Sequence, residues 1–356
     1  MNPKPSDPVC TSDQTFVCPL CPLHCDDVQI SKTGEWIADG CSLVSEFGPQ
    51  LIAPMDRGEI DVDVTKLTRP IRGVTTGVDL ATARQLSDWH HGGKIDLTIE
   101  SDPSIQALIE VISRDGIVSA TLADVATHAD LVWMIGDVEK TWPRLLAKLR
   151  RKSANGGKNG VMRFGSCSAD ALAEFAAATE SASRLAGQTT AKASCPTQKI
   201  DRWHSAQYAA IIVGPGAFKA GEETISATML CRIARLRNQN TRCVLLTLDA
   251  AATLRSVCLW KTNESPASVE DQLTNAAFDV RLGSPRCSDS RPAALQIGGV
   301  DPGPRLAKAY RASSIAGLHR RGMVIRGDGS VSLPLSAPIP SDMVTPGEVL
   351  SRLWIQ

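Results

Sequence analysis

The chain has 356 residues, 43% of them hydrophobic, with Lys plus Arg equal to Asp plus Glu at 38 each. That length supports a substantial core spread over two or three lobes, and the charge balance offers no electrostatic footprint for nucleic acid or an acidic membrane surface. No run approaches the roughly 18 apolar residues of a spanning helix, and Met1-Asn-Pro-Lys-Pro-Ser-Asp-Pro8 lacks a signal-peptide core, so a cytoplasmic location is expected.

Residues 1–15 are rich in Pro and polar residues and read as a flexible tail. Residues 16–57 form a cysteine lobe around Cys18-Pro-Leu-Cys21-Pro-Leu-His-Cys25 and Cys41. The order C-x2-C-x3-C-x15-C puts three sulfurs on one tight loop and a fourth on a returning segment, which suits a tetrahedral metal or a cubane cluster. Pro19 and Pro22 stiffen that loop. Asp26 to Ile30 and Glu35 to Ala38 flank Lys32-Thr33-Gly34 and predict a small hairpin that delivers Cys41. Eleven cysteines, in a reducing compartment, read as metal ligands and buried thiols rather than a disulfide framework.

Residues 58–152 read as a first α/β domain. Pro70 and Gly73 bracket a strand, Asp79 to Trp89 is helical with Leu80, Ala83 and Leu86 on one face, and Lys94 to Ile99 is a second strand before a helix from Ser104. Leu122 to Thr127 is a short helix and Trp142 to Lys152 an amphipathic one. Between them Leu131-Val-Trp-Met-Ile-Gly136 is continuously apolar, which implies a strand covered on both faces. Residues 153–200, with an alanine-rich helical pattern from Ala169 to Gly187, read as an insertion or mobile helical lobe. Residues 201–356 form a second α/β domain: strand Ala209 to Gly214, helix Glu222 to Leu236, strand Arg242 to Leu248, strand Ala293 to Gly298, and a closing hairpin from Gly322 to Leu333 about Gly327-Asp-Gly329. Repeated strand–helix units predict doubly wound parallel sheets.

The cysteine spacing with Asp26-Asp27 after Cys25, Thr121-Leu-Ala-Asp-Val-Ala-Thr-His-Ala-Asp130 before an apolar strand, and Gly327-Asp-Gly-Ser-Val-Ser-Leu-Pro-Leu335 together resemble the B-type subunit of formylmethanofuran dehydrogenase, a member of the molybdopterin or tungstopterin oxidoreductase superfamily. The likeness spans residues 16 to 354 and is greatest for the bacterial relatives in the formyltransferase/hydrolase complex of one-carbon metabolism. It implies an α/β fold with a small N-terminal iron–sulfur lobe and nucleotide-binding-like domains, without a full C-terminal barrel. It also implies a [4Fe–4S] cluster on Cys18, Cys21, Cys25 and Cys41, with zinc or an empty, vestigial site as alternatives.

Redox members of that family hold their metal through Cys or selenocysteine in a Cys-His-Gly-Pro-Ser-like motif. The matching stretch here is Asp96-Leu-Thr-Ile-Glu-Ser-Asp102-Pro-Ser104, without a cysteine between Cys41 and Cys167. Asp102 occupies the vestigial ligand position, and its plain alternative is a helix cap shared with Ser104. A tungsten or molybdenum pterin is therefore expected to be absent. Gly136-Asp137 and Gly214-Pro-Gly216 fall where the resemblance places pterin phosphates, with a simple tight turn as the alternative.

Other candidates read as ordinary: Cys231, Cys243 and Cys258 as buried thiols, and Cys10, Cys167, Cys195 and Cys287 as loop residues. His90-His91 reads as a loop after a helix, His24 as a neighbour of the cluster, and Arg150-Arg-Lys152 as a helix terminus. The implied function is a mainly structural B-type subunit beside amidohydrolase-like and formyltransferase subunits that carry the active sites, in the route from formaldehyde to formate using tetrahydromethanopterin and a methanofuran-like carrier. The alternatives are a catalytic tungsten or molybdenum subunit interconverting carbon dioxide and formate, and a free-standing iron–sulfur or zinc protein.

Overall fold

The computed structural model describes residues 14–31, 34–59, 70–75, 77–151, 160–184, 197–266, 278–283 and 292–353. Expectations for the N-terminal tail to residue 13, Lys32-Thr33, Lys152, Cys10, Cys195 and Cys287 lie outside these residues. The fold is a mixed α/β one built on parallel sheets, and it divides into two units, residues 1–101 with 249–356 and residues 102–248.

The first unit opens with the cysteine lobe. Strands β1 (Gln14–Phe16), β2 (Val28–Ile30) and β3 (Trp36–Ile37) form an antiparallel sheet, and helix α1 (Ser42–Ile52) follows. The predicted hairpin is β2–β3, with Ile30 opposite Trp36. Its small core holds Phe16, Leu20, Leu23, Val28, Ile30, Trp36, Val44 and Leu51, and Phe16 meets the Trp36 ring edge-on at 5.2 Å. Gly48 is required there, because a Cβ would stand 2.8 Å from Trp36. Beyond the lobe, β4 (Ile71–Thr75), α2 (Leu80–His91) and β5 (Ile95–Ile99) complete the chain's first pass through this unit.

In the second unit, α3 (Pro103–Asp115) and α4 (Leu122–His128) lead to β6 (Leu131–Ile135), then α5 (Val138–Thr141) and α6 (Leu145–Arg151). The helix expected from Trp142 to Lys152 begins only at Leu145, after the separate short α5, because Pro143 lacks an amide and its ring blocks a continuous helix. Strand β7 (Gly160–Phe164), α7 (Ala169–Arg184), α8 (Thr197–Ser205), β8 (Tyr208–Val213), α9 (Glu223–Arg237) and β9 (Arg242–Leu246) follow. The sheet runs β7-β6-β8-β9, all parallel. All five β6 residues are buried, as its apolar run demands. The described part of the supposed insertion belongs to this core: β7 pairs with β6, and Leu172 and Phe175 pack with Trp133, Trp203, Leu108, Leu230 and Ile211. The Ala-rich pattern disguises it, because small residues let α7 pack closely on α9.

On its return to the first unit the chain forms α10 (Ala252–Thr262), β10 (Phe278–Leu282), β11 (Ala293–Ile297), β12 (Ala307–Arg311), β13 (Gly322–Ile325), β14 (Ser332–Leu335) and α11 (Pro346–Leu353). The parallel sheet here has the order β12-β11-β10-β4-β5, so the strands of the second pass extend the sheet from β4. This division differs from the sequential boundaries expected near residues 152 and 200, since strand pairing rather than chain order sets the units. One sheet face, with Ile71, Leu97, Val280, Leu295 and Ile297, packs with Leu86, Leu254 and Leu350 from the helices. Each such buried Leu or Ile contributes about 1.5–3 kcal/mol.

Candidate functional site

The thiol loop is closed by its own backbone. Cys18 N–H donates to Cys25 O at 2.8 Å, and His24 N–H donates to Cys21 O at 3.0 Å. His24 makes the sharp return with φ +44, a left-handed conformation uncommon for a residue with a side chain. Its Nδ1 lies 3.1 Å from Cys18 O, and since a carbonyl only accepts, Nδ1 carries the hydrogen. Burial pushes the His24 pKa down to about 4, and Arg326 adds to the effect against the hydrogen bond to Cys18, so the ring is neutral.

Cys18 and Cys25 are buried, Cys21 and Cys41 partly so, and Cys41 stands where α1 begins. Burial raises the Cys18 thiol well above its ordinary range, Cys21 raises it next, and Cys25 and Cys41 add smaller increments. The four sulfurs therefore share one electrostatic neighbourhood, in which deprotonation is costly unless a cation gathers them. Among the described residues, no three or more His, Cys, Asp or Glu side chains form a group that could hold a metal ion. The donor chemistry of four cysteines is that of a thiolate-ligated group.

The four strand-end positions meet in the second unit. Strand β6 leads to β7 on one side and β8 on the other, so the topological switch point lies between β6 and β8, above Gly136 and Gly214. Every backbone donor at these positions is used inside the protein. Gly136 N–H donates to Phe164 O (3.1 Å), Asp137 N–H to Pro215 O (2.8 Å) and Gly214 N–H to Ile135 O (2.8 Å). Gly216 N–H donates to Asp102 Oδ2 at 3.1 Å. Gly136, at φ +81, has no room for a side chain: a Cβ would stand 2.5 Å from Pro215 O.

Asp102 is the N-cap of α3, accepting from Ser104 N–H at 2.9 Å, and Pro103 follows at the helix start. Ser104 does not cap; its Oγ accepts from Phe218 N–H at 3.0 Å. Burial raises the Asp102 pKa, against the bonds from Gly216 and Ser104 that favour the charged form. The loop after β8 is held on a further side by Cys167, whose N–H donates to Ala217 O at 2.8 Å. Beside it, Gly136, Asp137, Glu139, Lys140, Arg163 and Phe164 line an open cleft of about 190 Å³, bridged by the Arg163–Glu139 ion pair at 2.6 Å.

A carboxylate with no role assigned from sequence caps α2 in the first unit. Asp79 accepts from Ala81 N–H at 3.3 Å and Thr82 Oγ1 at 2.6 Å, and Arg320 binds it in bidentate fashion at 2.5 and 3.0 Å. Burial acts to raise its pKa, but Arg320, with the Thr82 hydroxyl and the Ala81 amide, holds it lowered. An Asp directly before an apolar helical repeat is a cap signal; Arg320, far along the chain, carries none.

The remaining candidates are structural. Cys231, Cys243 and Cys258 are buried, as expected, and so is Cys167. His90 Nδ1 accepts from Leu97 N–H at 3.2 Å, fixing the turn into β5. No helix among the described residues is long and apolar enough to cross a membrane.

No protein-family model and no curated protein matches the chain. Among solved structures it is similar to a chain of the formyltransferase/hydrolase complex (FhcABCD) from Methylorubrum extorquens, crystallised with methylofuran. The likeness covers 79% of this chain and 90% of that one, at 18% identity and a TM-score of 0.57. What the two chains share at that identity is the fold.

Proposed function

We propose that the chain is a B-type subunit of a formyltransferase/hydrolase complex, and that it serves there as an architectural element. In this reading amidohydrolase-like and formyltransferase subunits carry the chemistry of methanofuran-linked one-carbon metabolism. The fold likeness supports the assembly, and one observation carries the noncatalytic role. Asp102, at the position matching the redox relatives' metal ligand, spends its carboxylate on the amides of Ser104 and Gly216. With the amides of Gly136, Asp137 and Gly214 also used internally, the strand-end loops act as tight turns and offer a pterin phosphate no donor at these positions.

Cys18, Cys21, Cys25 and Cys41 would hold a [4Fe–4S] cluster, with zinc as the second choice. When bound, that group supplies a cross-link for the lobe; the chain's own residues close the loop around it. Elemental analysis of the anaerobically purified complex tests the reading. Iron at roughly four atoms per chain, as a cubane requires, without tungsten or molybdenum, is the expected result. Stoichiometric tungsten or molybdenum would overturn the architectural role, and zinc in place of iron would overturn the cluster.

A further inference from the structure

The thiol loop is bonded to the C-terminal hairpin of the same unit. Gly327 N–H donates to Pro22 O at 2.9 Å, and Asp249 N–H donates to Gly327 O at 2.9 Å. Gly327 is pressed so closely on the loop that a Cβ there would stand 2.4 Å from Pro22 Cβ and 2.9 Å from Pro22 O. The turn around Gly327 is braced by its own bonds: Arg326 forks onto the Asp328 carboxylate at 3.0 and 2.6 Å, and the Arg326 backbone N–H donates to Val331 O at 2.9 Å. The far end is anchored as well. Asp249 is buried and ion-paired with buried Arg255 at 2.8 Å, while Ile325 N–H donates to Thr253 Oγ1 at 2.9 Å.

We propose that the Cys18–Cys25 loop and the Arg326–Val331 turn open and close as one cooperative unit anchored at Asp249, so that a disturbance of the thiols is felt at the hairpin. Pro22 lies between Cys21 and Cys25, so movement of the sulfurs moves the carbonyl that Gly327 grips. A glycine that donates to the loop on one side and accepts from the anchor on the other leaves no slack between them. Local opening in proteins follows such bonded units rather than chain order. This coupling is independent of the chain's function.

Native-state amide exchange on the full chain, at urea concentrations below global unfolding, tests it. The amides of Cys18, His24, Gly327 and Asp249 should merge into one opening isotherm, below the global transition that exposes Cys243. Separate isotherms, or merging only in the global transition, would overturn it. In Gly327→Ala, exchange at Cys18 and His24 should accelerate at least tenfold, with Cys243 unchanged. Unaltered exchange at Cys18 in that variant would also overturn it.

Discussion

Replacing Asp102 separates its two roles. In Asp102→Ala the N-cap bond to Ser104 is lost, at about 1 kcal/mol. The bond from Gly216 is lost too; bonds to charged acceptors are typically worth about 1.5–3 kcal/mol, reduced here because Gly216 is exposed and water can replace the carboxylate. The expected total is about 2 kcal/mol. Asp102→Asn keeps an acceptor for Ser104 and removes a charge that burial disfavours, so its cost should stay below about 1 kcal/mol. Because burial raises the folded-state pKa, the native chain binds a proton more readily than the unfolded one. Wild type should therefore gain stability relative to the Asn variant as pH falls through the folded value, and lose that gain as pH rises. Urea unfolding across pH, with amide exchange at Gly216 and Phe218, measures both effects. Equal damage from Ala and Asn at neutral pH, or a wild-type advantage that grows with rising pH, would refute the balance of burial and hydrogen bonding.

Arg320→Ala strands the buried Asp79 charge and should cost about 3–5 kcal/mol at neutral pH, read by thermal unfolding. Since Arg320 holds the Asp79 pKa down, its stabilisation is present above the ordinary Asp range and lost as pH falls below it; the variant should show a flatter acid limb. Gly136→Ala should lose at least about 2 kcal/mol, from the left-handed φ and the clash with Pro215, and unchanged urea midpoints would contradict that. Cys21→Ser should lower stability or assembly, while turnover per assembled complex stays constant; intact assembly with lost turnover would count against the architectural role.

Much of the second unit is legible in the sequence because its signals are local. The apolar run at Leu131–Ile135 specifies a doubly covered strand, and Asp102-Pro103 before the Ile105, Leu108 and Val111 face marks a helix start. Strands β10 and β12 carry weaker signals: Phe278-Asp-Val-Arg-Leu282 alternates apolar and charged residues over only five positions, and Ala307-Lys-Ala-Tyr-Arg311 sets charge among small residues, so their neighbours in the sheet complete the account. The Ala169–Arg184 segment is a helix, as its pattern predicts, but not the appendage expected, since alanine content says nothing about what a helix packs against.

The periodicities, the caps and the spacing of four thiols are written along short stretches of the chain. That Asp102 meets Gly216, 114 residues on, that Arg320 meets Asp79, and that Gly327 closes on Pro22 emerges only from the packed fold. Such pairings follow from which strands lie side by side, and strand order is chosen by the burial of whole faces, which no short window of residues encodes.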